Sequence, residues 1–292
     1  GNASISSYDE SKEELTQEYF KAVNGYSLGD IAQSMYQTDE LYFIVVNNSG
    51  KIEVLNKDDF SSVFSITGFD SPRFVQTVND SMAYVSDLFA DAIYKVDYQN
   101  GEIVGSIAVE SWSEQMVMLE DSVYACLYDT KQIAIINTQN DQVDHTIDLA
   151  MSPTQIRVDS EDKLWVLTST FGNGSILYKI NTATRTIESE WTFNEENTIL
   201  QLETSKDGTK IYLLSAAGDL YKISNLDSSI INPLFTTELE GAYGLDIDID
   251  GGIYISEALD FTQAGSVSKY NESGVVEYSI TTGVGPNSVV FR

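Results

Sequence analysis

A five-residue pattern recurs along the whole chain at intervals of 40 to 47 residues. Its form is an apolar residue, two unrestricted residues, a second apolar or tyrosine residue, and then Asp, Asn or Ser. The seven copies begin at Ile5, Ile52, Ile93, Ile133, Leu177, Leu220 and Val267. A period of about 40 residues is typical of repeat architectures, in which one supersecondary unit recurs.

Each repeat reads as four short strands joined by tight turns. Residues 153–193 contain PTQIRVD, KLWVLTS, SILYKIN and TIESEWTF, separated by turn residues. Four antiparallel strands per period fit one blade of a β-propeller. Pro72, Pro153 and Pro286 stand where first strands begin, a position at which a sheet tolerates proline. The pattern predicts an all-β, seven-bladed propeller in a single domain, 1–292, with blades starting near Ala32, Pro72, Glu114, Pro153, Ile199, Tyr243 and Pro286.

The seventh blade is predicted to be shared between the two ends of the chain. Residues 3–20 carry a third-strand motif and residues 286–292 a first-strand motif, so pairing them would close the sheet edges. Residues 11–22 have some helical character, but their position favours an outer strand. This blade lacks a sequence for its second strand, so it is either three-stranded or completed by a stretch that has been removed.

The chain carries 45 acidic and 16 basic residues, a net charge of −29. This balance argues against nucleic acid and against an anionic membrane surface, both of which need a basic footprint. Solubility explains the acidity most simply, and attraction of cationic ligands is the alternative. There is no apolar run of 18 residues, so no transmembrane segment is predicted.

Residues for nucleophilic or zinc chemistry are scarce. His145, the one histidine, falls on a predicted outer strand, and Cys126, the one cysteine, falls in a predicted buried strand. A Ser-His-Asp mechanism and a Cys/His zinc site are therefore excluded. The acidic stretch LDIDIDGG (245–252) lacks the spacing of a calcium loop and reads as a strand and turn. No metal site or cofactor is predicted, although calcium stays an alternative.

The loops at one end of the repeats are rich in aromatic and polar residues, whereas the opposite turns are small and polar. We take this end as the candidate ligand-binding face, because exposed aromatic groups among amides and acids are typical of binding surfaces. Half of the rings are expected merely to fill gaps between blades. The candidate site residues are Phe69, Phe89, Trp112, Tyr128, Phe171, Phe261, Asn47, Asn48, Arg73, Asp87 and Glu257.

Trp112 is the predicted principal contact of this face. Its loop, ESWSEQ, joins two blades, whereas Trp165 and Trp191 fall on strands and read as core. Truncating a binding tryptophan typically costs about 2 kcal/mol, so Trp112→Ala is expected to weaken binding roughly thirtyfold with little change in melting temperature. Arg73 is the second choice, for a ligand phosphate or carboxylate, unless it pairs with Asp70.

Several longer blocks resemble a known family. These are NGYSLGDIAQSM (24–35), YFIVVNNSGKIEVLN (42–56), ITGFDSPRF (66–74), ISEALDFTQAGSVSKYN (255–271) and GVGPNSVVFR (283–292). They are similar to the YncE-like, surface-layer-type seven-bladed propeller lipoproteins of gut anaerobes. The resemblance implies a lipoprotein on the outer face of the outer membrane, without enzyme activity. The BtuG-like branch of this family captures cobalamin and passes it to an outer-membrane transporter.

Three functions follow as expectations. The first is a non-enzymatic binding protein with a corrinoid as its ligand and a transporter as its partner. The second is a metal-dependent hydrolase of the propeller lactonase type, for which Asn47, Asn48, Asp87 and Glu257 are the available groups. The third is a protein-interaction scaffold, which would present a broad patch without a deep pocket.

Overall fold

The computed structural model describes residues 3–169, 173–226 and 232–292, and the chain divides into two compact units. Unit 1 is Gly1–Thr146 and unit 2 is Ile147–Arg292. The described residues form six four-stranded antiparallel sheets, each with its strands in chain order, and one two-stranded sheet. We call the four-stranded sheets blades 1 to 6. That residues 1–292 form a single domain stays a prediction from the sequence.

Unit 1 opens with β1 (Ser7–Asp9), β2 (Glu14–Thr16) and α1 (Tyr19–Asn24). Blade 1 consists of β3 (Ala32–Gln37), β4 (Leu41–Val46), β5 (Lys51–Asn56) and β6 (Ser62–Thr67). Blade 2 consists of β7 (Pro72–Thr77), β8 (Met82–Asp87), β9 (Ala92–Asp97) and β10 (Glu102–Ala108). Blade 3 consists of β11 (Ser113–Leu119), β12 (Ser122–Leu127), β13 (Gln132–Asn137) and β14 (Gln142–Asp148), the last of which crosses the unit boundary.

Unit 2 holds the other three blades. Blade 4 consists of β15 (Pro153–Val158), β16 (Lys163–Ser169), β17 (Ser175–Asn181) and β18 (Thr186–Phe193). Blade 5 consists of β19 (Ile199–Thr204), β20 (Lys210–Ser215), β21 (Asp219–Ser224) and β22 (Phe235–Thr236). Blade 6 consists of β23 (Ala242–Ile247), β24 (Ile253–Glu257), β25 (Ala264–Tyr270) and β26 (Val276–Val284). No helix of the described residues is long and apolar enough to cross a membrane.

The hydrophobic core lies between consecutive blades of each unit. In unit 1, Phe43 and Val45 of blade 1 pack with Val75 and Val85 of blade 2. In unit 2, residues of blade 4 pack in the same way against those of blade 5, and those of blade 5 against blade 6. Second strands are therefore buried on both faces, which explains their continuous apolar sequences, such as YFIVV in β4.

All six first strands contain a bulge near their start. In β3 the pairing with β4 runs from Ala32–Val46 to Ser34–Val45, so one residue is left over, and the other five blades shift register at the same place. A bulge redirects the side chains beside it. The residues at the second position of these first strands, beside the bulge, are Gln33, Arg73, Glu114, Thr154, Leu200 and Tyr243.

The prediction of seven blades is wrong, because the described residues form six. The six first strands begin within one residue of the predicted starts, but no strand begins at Pro286. β1 pairs with β2 and not with the end of the chain, so the predicted closure by pairing the two ends is not formed. The prediction that residues 11–22 form an outer strand is also wrong, since this stretch holds only β2 and the start of α1.

Both terminal segments pack on the blade nearest to them in sequence. Ala3 bridges to Gly29, and Phe20 of α1 is buried in unit 1. In unit 2, residues 285–292 pass close to blade 6, where a Cβ on Gly244 would overlap the carbonyl oxygen of Asn287. The third-strand motif of residues 5–9 forms part of the two-stranded sheet.

Candidate binding site

Three aromatic residues of unit 1 lie on connected segments of blades 2 and 3. The rings of Trp112 and Tyr128 stack at 4.2 Å with an interplanar angle of 27°. They flank β11 and β12, and the Tyr128 N–H donates to the Trp112 carbonyl at 2.8 Å. Phe89 follows β8 and is 71 % exposed. We call Phe89, Trp112 and Tyr128 the aromatic rim.

Hydrogen bonds of Asp87 fix the position of Phe89. The buried Asp87 carboxylate accepts from the backbone N–H groups of Ser71, Phe89 and Ala90, at 2.8, 2.8 and 3.2 Å. The Asp87 N–H donates to Ser113 Oγ at 3.0 Å, next to Trp112 in the sequence. Asp87 therefore connects the loop of Phe89 to the strand that begins after Trp112.

Arg73 is held by residues of the two neighbouring blades. Its Nε donates to Glu114 Oε1 at 3.0 Å and its Nη2 donates to Glu114 Oε2 at 3.2 Å, while Nη1 donates to Gln33 Oε1 at 2.6 Å. The guanidinium carbon also lies 6.0 Å from the centre of the Trp112 ring. The pairing with Asp70 considered from the sequence is not formed; Asp70 instead accepts from the Tyr94 hydroxyl.

Burial raises the pKa of the Glu114 carboxyl, while the charge and hydrogen bonds of Arg73 act in the opposite direction. Trp112 Nε1 is buried without a partner in hydrogen-bonding geometry, although it lies near enough to Glu114 to lower the pKa of that carboxyl. The tryptophan is thus partly buried, with its ring against Tyr128 and its N–H turned away from solvent. The sequence predicted a partly exposed tryptophan in this loop, but it did not predict the packing of the indole on Tyr128.

Two further candidates of unit 1 are buried. Phe69 is only 7 % exposed and meets Tyr94 edge to face at 5.3 Å, so it fills a gap between blades. The Asn47 amide is buried and donates to Ser71 Oγ and to the Pro72 carbonyl, both at 2.9 Å. Asn48 is exposed, and its amide donates to Asp30 at 3.3 Å. Of these three, only Asn48 has its side chain at the surface.

Two candidates lie in unit 2 and one falls outside the described residues. Phe261 is 53 % exposed and meets Tyr243 edge to face at 5.0 Å. The Glu257 carboxylate accepts from the Glu240 N–H at 2.7 Å and from Ser266 Oγ at 3.2 Å. Phe171 lies outside the described residues.

Among the residues that the structure describes, no group of three or more His, Cys, Asp or Glu side chains is placed to hold a metal ion. Asp248 accepts from the N–H groups of Asp250 and Gly252, at 2.9 and 2.7 Å, which is the geometry of a turn. A hollow of about 130 Å³ lies beside the N-terminal segment, lined by Ala3, Ser4, Ile5, Glu18, Phe20, Lys21, Ser27 and Leu28. It contains no residue of the aromatic rim.

The remaining residues discussed from the sequence lie as predicted. His145 is exposed on β14, Cys126 is buried in β12, and Trp165 is buried with its Nε1 donating to Asp159 at 2.8 Å.

The sequence alone did not identify Gln33 and Glu114 as partners of Arg73. The signal was present, because all three residues take the same position in their repeats.

Comparison with known proteins agrees with the fold. The chain superposes on a quinoprotein alcohol dehydrogenase-like protein of Bacteroides thetaiotaomicron VPI-5482 with a TM-score of 0.76 and 16 % identity, over 96 % of this chain and 74 % of that one. It superposes on the hydrazine synthase of Kuenenia stuttgartiensis with a TM-score of 0.71 and 14 % identity, over 88 % of this chain and 91 % of that one.

The fold is therefore that of a β-propeller. Identities of 14 and 16 % show the fold and carry nothing about activity. No protein-family model matches the sequence, and no curated protein matches it either.

Proposed function

We propose that the protein is a non-enzymatic binding protein whose ligand docks on the aromatic rim of unit 1. The observation that carries this proposal is the 71 % exposure of Phe89 in a loop fixed by the buried Asp87 carboxylate. A large apolar ring that is held in water by a buried polar group has no packing role of its own. Exposed aromatic surface of this kind is a feature of binding sites.

The ligand we propose is a corrinoid such as cobalamin. The support is the sequence resemblance described above, together with the stacked rings of Trp112 and Tyr128, which suit a broad, partly apolar ring system. We further propose, from the same resemblance, that the protein is a lipoprotein on the outer face of the outer membrane and passes its ligand to a transporter there.

A protein-interaction scaffold is the second candidate. It is favoured by the 71 % exposure of the Phe89 side chain. Small-molecule sites are usually concave and about 300 Å³ or larger. The metal-dependent hydrolase is less well supported, since both oxygens of the Asp87 carboxylate already accept backbone N–H groups.

Calorimetry and absorption spectroscopy with cyanocobalamin test the proposal. Binding is expected to release heat and to shift the corrinoid spectrum, and Phe89→Ala is expected to weaken it roughly tenfold without lowering the melting temperature. Ile249→Ala is the control, because this apolar side chain is also largely solvent-exposed, at 83 %, but lies in a turn of blade 6. Absence of heat and of a spectral shift at micromolar protein would exclude the corrinoid.

Trp112→Ala provides a second measurement. A loss of about thirtyfold in affinity stays the prediction. Because the indole packs on Tyr128 and lies over Arg73, we now expect the melting temperature to fall as well, so Phe89→Ala is the cleaner variant. Wild-type affinity in both variants would place the ligand away from the aromatic rim.

A further inference from the structure

Unit 2 exposes an apolar patch that is separate in sequence from the aromatic rim. Tyr243, Phe261 and Val284 are 38, 53 and 58 % exposed. The Tyr243 and Phe261 rings meet edge to face at 5.0 Å, and a Cβ on Gly285, next to Val284, would lie 3.2 Å from the Phe261 ring. We call these three side chains the Tyr243 patch.

The loop that carries Phe261 is held in an unfavourable backbone conformation. Leu259 and Phe261 have φ angles of 50° and 60°, in the left-handed region that glycine favours. Each such residue costs on the order of 1 kcal/mol. The loop is fixed by hydrogen bonds from the Ala258 N–H to the Gly241 carbonyl at 3.1 Å and from the Phe261 N–H to the Ala258 carbonyl at 3.0 Å. These contacts keep a large ring in water.

The surroundings of the Tyr243 patch are acidic. Residues 223–268 contain eight Asp and Glu and no Lys, Arg or His. Glu238, Glu240 and Asp260, close to the patch in sequence, are all exposed. Burial raises the pKa of Tyr270 in blade 6, the hydrogen bond with Ser268 lowers it, and the charges of Glu257 and Glu238 raise it.

We propose that the Tyr243 patch docks a basic segment of a partner protein. Apolar side chains of that segment would cover the three exposed groups, and a Lys or Arg would lie over the Tyr243 and Phe261 rings, between carboxylates that complement its charge. The side chains of the patch are partly exposed to solvent, and aromatic residues at the surface are frequent contacts between proteins, whereas small ligands usually occupy concave sites.

Titration with short capped peptides tests this proposal without knowledge of the partner. The probe is a peptide of repeated Arg-Leu-Gly, compared with the same peptide carrying citrulline in place of arginine, which keeps the shape and removes the charge. Wild type is expected to bind the arginine peptide at least tenfold more tightly than the citrulline peptide, and added salt should weaken the binding.

Substitutions separate the patch from the general negative charge of the protein. Phe261→Ala is expected to weaken arginine-peptide binding about tenfold, whereas Ile249→Ala and Phe89→Ala should bind like wild type. Equal melting temperatures check that the variants are folded. Wild-type affinity in Phe261→Ala, an equal loss in Ile249→Ala, or no binding at millimolar peptide would each overturn the proposal. None of these results depends on whether cyanocobalamin binds the aromatic rim.

Discussion

Arg73 and Glu114 form a two-point ion pair across 41 residues of sequence, with contacts of 3.0 and 3.2 Å. Each is the second residue of the first strand of its blade, Arg73 in blade 2 and Glu114 in blade 3, and Gln33 takes the same position in blade 1. The guanidinium thus connects three consecutive blades of unit 1. Since its charge is neutralised by a buried carboxylate, Arg73 is better placed to support the aromatic rim than to bind a ligand anion.

Removing Arg73 should therefore destabilise unit 1. In Arg73→Ala the buried Glu114 carboxylate loses its partner, and breaking such a pair costs about 3 kcal/mol. The midpoint of urea unfolding, followed by circular dichroism, should fall accordingly. The double variant Arg73→Ala with Glu114→Gln should recover part of the loss, because no charge is left buried. An unchanged midpoint in Arg73→Ala would contradict a supporting role.

Asp87 offers a test between a structural and a metal-binding role. Asp87→Ala leaves the N–H groups of Ser71 and Phe89 without their acceptor, so we expect a loss of about 2 to 4 kcal/mol in the free energy of unfolding. EDTA should leave the melting temperature of the wild type unchanged. A large drop with EDTA, or lactone hydrolysis that EDTA abolishes, would instead support the metal-dependent hydrolase.

The strands of the blades could be predicted from the sequence because their signals are local. Pro72 and Pro153 begin first strands as expected, and the Asp, Asn and turn residues separate the strands that follow. The alternation of apolar and polar residues and the residues that favour turns extend over only a few positions, so they can be recognised without knowledge of the partner strand. The same holds for Trp165, whose place in a second strand predicted its burial.

Properties that depend on distant partners could not be predicted in this way. The motif at residues 5–9 resembles the others, yet its strand β1 pairs with β2, because a strand motif does not specify which strand it joins. Likewise, Asn47 and Phe69 follow the strands β4 and β6, and Asp87 ends β8, all beside loops of the predicted ligand-binding face. Their burial follows from contacts with Tyr94, Pro72 and Ser71, which the loop sequence does not reveal.

The C-terminal segment should contribute to the stability of unit 2. The Phe291 ring packs against Tyr254 with centroids 4.8 Å apart, and the Lys206 ammonium lies 5.6 Å from the centre of the Phe291 ring. Phe291→Ala is expected to lower the free energy of unfolding by about 1 to 2 kcal/mol. Ser288→Ala, which changes an exposed residue of the same segment, is the control. Equal unfolding midpoints for both variants would show that the segment does not support blade 6.

The same segment covers Asp246 of β23. The Val289 N–H donates to Asp246 Oδ2 at 2.7 Å. Although Asp246 keeps some exposure as a residue, burial of its carboxyl raises its pKa well above the usual range, and the nearby charge of Glu203 raises it further. The pKa of an Asp carboxyl in the unfolded chain is about 3.9, so the carboxyl of Asp246 stays protonated to a higher pH in the folded state than in the unfolded state.

Asp246→Asn should therefore stabilise unit 2 at neutral pH. The protonated Asp246 carboxyl contributes to the free energy of unfolding. This contribution is fully present below a pH of about 3.9 and is lost as the pH rises through the raised pKa of the folded state. Asparagine keeps an oxygen for the Val289 N–H and cannot ionise. In urea unfolding, the variant should exceed the wild type in stability at pH 7, and the difference should shrink as the pH approaches 4. Asp250→Asn, at an exposed carboxylate of the same blade, should not reproduce this pH-dependent gain. A difference that stays constant with pH would show that ionisation of Asp246 does not oppose folding.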